Sequence, residues 1–127
     1  WVYENPTHSI TERAEKWLAI LNEFSSPEID FSGLDAYRMY GWHRQLHLYE
    51  VPFYYIEYGI AQLGAIGLWK QFKQNPENAV TNYVNALRLG GTKTLPELFK
   101  TAGLQFDFSP EAIKELMEFV KTELDTL

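Results

Sequence analysis

Two histidines, His43 and His47, stand four residues apart in "HRQLHLYEVPFYYIEYG". On one helix face that spacing lets two imidazoles share a zinc ion. A catalytic zinc also needs a third protein ligand and a general base. Arg44 sits where the H-E-x-x-H zinc motif carries its glutamate. A guanidinium cannot act as a base, and its fixed charge opposes a cation nearby. Glu50 and Glu57 are available carboxylates, but nothing in their spacing marks either as a ligand. The residues therefore predict no metal site on this chain, and His43 reads as an ordinary half-buried residue beside Trp42.

His47 differs because of its downstream neighbours. Tyr49, Tyr54, Tyr55 and Tyr58 all lie within the next eleven residues. If this stretch is helical, Tyr58 shares a face with Tyr54 at i,i+4 and with Tyr55 at i,i+3. A phenol has an apolar ring and a hydroxyl that needs a partner when buried. Several such hydroxyls beside an imidazole could donate hydrogen bonds to a carbonyl or an oxyanion. The plainer account is a tyrosine-rich core whose hydroxyls reach the surface, and residue types alone leave both open.

The elements that must position these side chains read as helix, break, helix. "SITE" (Ser9–Glu12) has capping-box spacing and precedes the stripe Ala14, Trp17, Leu18, Leu21, Phe24. After the loop "SSPEIDFSG", Ser32 is expected to cap a second helix running from Leu34 to His47. Pro52, welcome in a first helical turn, is expected to start a third helix ending near Lys73. Asn75-Pro76-Glu77 starts a fourth that stops at Gly90–Gly91. A short helix from about Leu95 to Ala102 stops at Gly103, and Ser109 caps the last. No strand alternation of useful length occurs, so the fold class is all-α with about six helices. The third helix carries Gly59, Ala61, Gly64, Ala65 and Gly67. Interior glycine costs about 1 kcal/mol against alanine, and close packing on a neighbouring helix is the expected compensation.

Composition narrows the function classes. The chain has 127 residues, 46% hydrophobic and 16% aromatic, enough for one compact unit spanning 1–127. A net charge of -6 with no basic cluster argues against nucleic acid. No apolar run is long enough to span a membrane. Cysteine is absent, which agrees with a cytoplasmic setting. "LGGTKT" lacks P-loop spacing and reads as a helix stop and then a turn. The chain opens on Trp1 in "WVYENPTHS", which reads as the tail of a preceding element and suggests a fragment of a longer protein.

"HRQLHLYEVPFYYIEYGIAQLGAIGLW" and the downstream "ALRLGGTKTLPELFKTAGL" resemble the C-terminal catalytic-domain region of oligoendopeptidase F, in the thimet-oligopeptidase superfamily of zinc metallopeptidases. The resemblance runs from about Glu12 to Leu124. It implies a piece of a larger helical, zincin-like catalytic domain that hydrolyses short peptides. In that family an H-E-x-x-H helix and a glutamate on a following helix hold zinc, and the motif's own glutamate activates the water. No H-E-x-x-H occurs in this chain, so zinc is expected in the full-length parent and not on this segment. His43 and His47 are then a coincidental pair. The resemblance implies that His47 and the tyrosines form the wall facing the zinc. There His47, Tyr54, Tyr55 and Tyr58 bind the peptide backbone, with Tyr58 and His47 stabilising the oxyanion. The expected partners are short peptides and the missing N-terminal part of the parent; alone, the segment is expected to be inactive. The alternative is a non-enzymatic helical domain that binds a partner through its tyrosine-rich groove.

Overall fold

The computed structural model describes all residues from Trp1 to Leu127. It contains seven α-helices, two short 3₁₀ turns and no strand, so the all-α expectation holds. The chain divides into two compact units, Trp1–Tyr55 and Ile56–Leu127.

In the first unit, α1 (Ile10–Glu23) begins as the sequence dictates. The Ser9 hydroxyl accepts from the Glu12 backbone N–H at 3.2 Å, and the Ser9 backbone N–H donates to the Glu12 carboxylate at 2.7 Å. Two N–H groups that the first turn would leave unpaired are thereby satisfied. Beyond α1 the chain is held by side chains. The Ser25 hydroxyl donates to the Leu21 carbonyl at 2.7 Å, and Arg38 donates to that same hydroxyl at 2.7 Å. The Arg38 guanidinium also lies 4.0 Å from the Phe31 ring centroid, a cation–π contact.

The expected second helix is not continuous. It breaks into α2 (Asp35–Arg38), a 3₁₀ turn at Gly41–Arg44, and α3 (His47–Glu50). Ser32 caps none of them; its N–H and hydroxyl both donate to Asp30, and Leu34 occupies the N-cap of α2. A serine engaged with a local aspartate is drawn away from the helix start, which is the usual competition between Asx-type turns and caps.

In the second unit, α5 (Pro76–Leu89), α6 (Leu95–Thr101) and α7 (Pro110–Leu124) match the sequence expectation closely, whereas α4 (Glu57–Gln74) ends as expected but starts five residues after Pro52. Asn75 ends α4 and caps α5, its side chain accepting from the Asn78 N–H at 3.1 Å. Glu97 reaches back to the Thr94 N–H at the start of α6. Gly103, at φ +77°, closes α6 with the Leu104 N–H on the Phe99 carbonyl at 2.8 Å, a glycine C-terminal motif.

Two of the small residues of α4, Gly64 and Gly67, pack as expected, whereas Gly59 has nothing within 4 Å of where a Cβ would stand. A Cβ on Gly64 would stand 3.0 Å from Phe99, and one on Gly67 2.9 Å from Leu104. Phe99 in turn meets Phe106 edge-on, with centroids 5.0 Å apart, and Phe106 meets Phe108. Trp69 of α4 packs on Phe119 of α7, and Lys70 and Lys73 pair with Glu115 and Glu123. Few residues are fully buried: among hydrophobic ones only Ala14, Ala79 and Ala102. Large apolar side chains such as Phe24 and Ile10 remain mostly exposed, a surface that folding of these residues alone leaves in contact with water.

Candidate functional site

The third helix starts later than Pro52 implies. Residues 51–56 form turns, and α4 begins only at Glu57. The Tyr54 N–H donates to the Val51 carbonyl at 3.1 Å, closing a four-residue turn with Pro52 and Phe53 at its centre. Phe53 has φ +66°, the one positive φ at a non-glycine residue in the chain. Proline second and positive φ third is the arrangement of a type II turn, whose third position normally belongs to glycine. For an L-residue this left-handed conformation costs about 1–2 kcal/mol.

The turn changes which candidate side chains meet. Tyr54 and Tyr55 precede α4, so helical i,i+3 and i,i+4 spacing does not describe them. Instead Tyr55 comes against His47, ring centroids 5.2 Å apart and tilted 39°. Along a continuous helix these two residues would be about 12 Å apart. His47 is the first residue of α3 and is half-buried. Tyr54 and Tyr55 are 52% and 43% exposed. Tyr58 is the second residue of α4, in the other compact unit, and is 57% exposed. The first unit thus juxtaposes an imidazole and a phenol, both partly exposed.

The first unit contains further ring pairs. Trp42 stacks on Tyr49 with centroids 6.0 Å apart, and His43 sits edge-on to Trp42 at 4.2 Å. Tyr3 stacks on Phe53, with centroids 6.2 Å apart and planes 16° apart. Phe53 and its stacking partner have no signature in the sequence: a type II turn predicts glycine at that position, and Tyr3 lies fifty residues upstream.

The metal question resolves on the donor set. His43 belongs to the 3₁₀ turn and His47 to α3, so the four-residue spacing does not put them on one helix face. No three side chains among His, Asp and Glu gather closely enough to hold an ion. The residues present do not fit a zinc centre, and no catalytic step is assigned to a metal on this chain. The carboxylates held below their ordinary range lie elsewhere. Glu12 is lowered by the Ser9 backbone N–H and then the Ser9 hydroxyl, and Glu97 by the same two groups of Thr94. Both serve helix starts.

A family model, Peptidase family M3, matches residues 1–118. The chain belongs to peptidase family M3. A relative, the oligoendopeptidase F homolog of Borreliella burgdorferi, is 30% identical over 79 residues. That match covers 62% of this chain and 13% of the relative. A 3.1 Å X-ray structure assigned to oligoendopeptidase F superposes with a TM-score of 0.80 at 36% identity. It covers 99% of this chain, which spans 22% of that one. The chain is therefore oligoendopeptidase F-like in sequence and in backbone, and it matches a minor part of each relative's length. M3 peptidases are metallopeptidases. No helix here is long and apolar enough to cross a membrane.

Proposed function

We propose that residues 1–127 form the substrate-side, C-terminal part of the catalytic domain of a cytoplasmic, zinc-dependent oligoendopeptidase acting on short peptides. The zinc and the water-activating glutamate would come from polypeptide outside this chain. His47, Tyr54, Tyr55 and Tyr58 would bind the peptide main chain, whose N–H and C=O groups suit phenol and imidazole as partners. Tyr58, in the second unit, and His47, in the first, are each put forward as a hydrogen-bond donor to a substrate carbonyl oxygen on which negative charge develops. A donor about 3 Å from that oxygen contributes more in the transition state than in the ground state.

The observation that carries this reading is the His47–Tyr55 pair at 5.2 Å, in a chain of the M3 family. It rests on a turn the sequence does not favour, at residues half open to solvent. The large exposed apolar side chains suit a segment that packs against further polypeptide. The coding sequence upstream of Trp1 is the direct test. An H-E-x-x-H motif in frame there is the expected result. An initiation codon beside Trp1 with no such motif overturns the reading and leaves a free-standing partner-binding domain. Expressed alone, the 127-residue chain is expected to show no chelator-sensitive peptidase activity.

A further inference from the structure

We propose that Phe53 is a positioning residue, whose ring, stacked on Tyr3, locks the left-handed turn that delivers Tyr55 to His47. Its importance for catalysis rests on the function proposed above; its positioning of the pair does not.

Three observations converge. Phe53 is the one non-glycine residue with positive φ, at +66°. It stands directly after Pro52 in a turn closed by the Tyr54 N–H on the Val51 carbonyl, where glycine would fit without strain. Secondly, its side chain is not buried to offset that strain: it is 79% exposed, and its aromatic neighbour is Tyr3, with near-parallel planes 16° apart. Thirdly, the turn reverses the chain between α3 and Tyr55, and the His47–Tyr55 contact at 5.2 Å depends on that reversal. Glycine would adopt the turn but also leave it freely, because it loses the most conformational entropy in any fixed geometry. The Phe53 ring lies against Tyr3, itself 80% exposed, and offset stacking at this separation adds a modest tether. Pro52 and the Tyr54–Val51 hydrogen bond favour the turn, and the side chain from the start of the chain offsets the one position that is strained, Phe53.

Four variants test this. Phe53→Tyr keeps the ring, Phe53→Gly keeps the backbone conformation and loses the ring, and Tyr3→Ala removes the stacking partner and leaves Phe53 in place. Tyr3→Phe is the conservative control. In the 127-residue chain, the first readout is the nuclear Overhauser effect between the His47 and Tyr55 ring protons, with helix content by circular dichroism confirming the fold. Phe53→Gly and Tyr3→Ala are each expected to reduce that effect at least threefold, and Phe53→Tyr and Tyr3→Phe to preserve it. An unchanged effect in both Phe53→Gly and Tyr3→Ala overturns the proposal. The second readout is kcat and KM of the peptidase that carries the segment. The two disruptive variants should lower kcat roughly tenfold with KM changed less than threefold, and the two conservative ones should restore it. Loss of the His47–Tyr55 effect with kcat intact would uphold the positioning role and instead sink the pair's part in the proposed function.

Discussion

Alanine at Gly59 and at Gly64 should move stability in opposite directions, although both glycines lie in α4 (Glu57–Gln74). Replacing glycine by alanine where the backbone allows it stabilises by about 0.4–1 kcal/mol, chiefly by restricting the unfolded chain. At Gly59 a Cβ would meet nothing within 4 Å, so the full gain is expected. At Gly64 the same carbon would stand 3.0 Å from the Phe99 ring, and Phe99 is backed by Phe106 at 5.0 Å, edge-on. Moving the ring away would break its edge-on contact with Phe106. Overpacking of this kind costs about 1–3 kcal/mol, which outweighs the backbone gain and leaves a net loss of about 1–2 kcal/mol. The two variants should therefore differ by about 2 kcal/mol, or roughly 8–16 °C in Tm for a unit of this size. Denaturant unfolding monitored by circular dichroism measures the difference directly, provided the slope is unchanged. If both variants stabilise by similar amounts, the small residues of α4 are not there for close packing, and the α4–α6 contact is looser than these distances imply.

The helix starts make a second prediction. Ser9→Ala removes the hydroxyl that accepts from the Glu12 N–H, and should cost about 1 kcal/mol in denaturant unfolding. The pH dependence arises from the same contacts. Glu12 and Glu97 are held below their ordinary carboxylate value by N–H and hydroxyl donors in the folded chain. A lowered folded pKa stabilises above the unfolded value, and that stabilisation is lost as pH falls through the folded value. Unfolding midpoints should therefore drop on acidification below about pH 4.5, and Glu12→Gln with Glu97→Gln should flatten the profile; equal acid sensitivity with and without the two carboxylates would count against it. For the peptidase carrying this segment, Tyr58→Phe should lower kcat by about 10²–10³-fold with little change in KM, if its hydroxyl meets the oxyanion. An unchanged kcat removes Tyr58 from the catalytic group.

Wherever a local rule decides structure, the linear chain was enough. The Ser9–Glu12 capping box, the Asn75-Pro76 restart, the Gly103 stop and the Ser109 cap each act within a few residues, and each appears where its spacing places it. The close approach at Gly64 and Gly67 was also legible, because unfavourable glycines in a helix demand a packing reason. The family resemblance rested on a contiguous stretch of side chains and survived comparison with whole chains. The path from Leu34 to Ile56 was not legible. There the helical periodicity is good but the segment is short of caps, and Ser32, the expected cap, is bonded to Asp30. Gly41 is a break signal inside that run and the 3₁₀ turn begins there, but no residue announces the second break before α3. Nor does "VPFY" announce a left-handed phenylalanine, since strain of that kind persists only when distant contacts hold it. The sequence thus determined the helical class, most helix ends and the chemical inventory of one imidazole and three phenols. Only tertiary structure decided that His47 meets Tyr55, because that contact depends on a left-handed turn that lies against a ring fifty residues away.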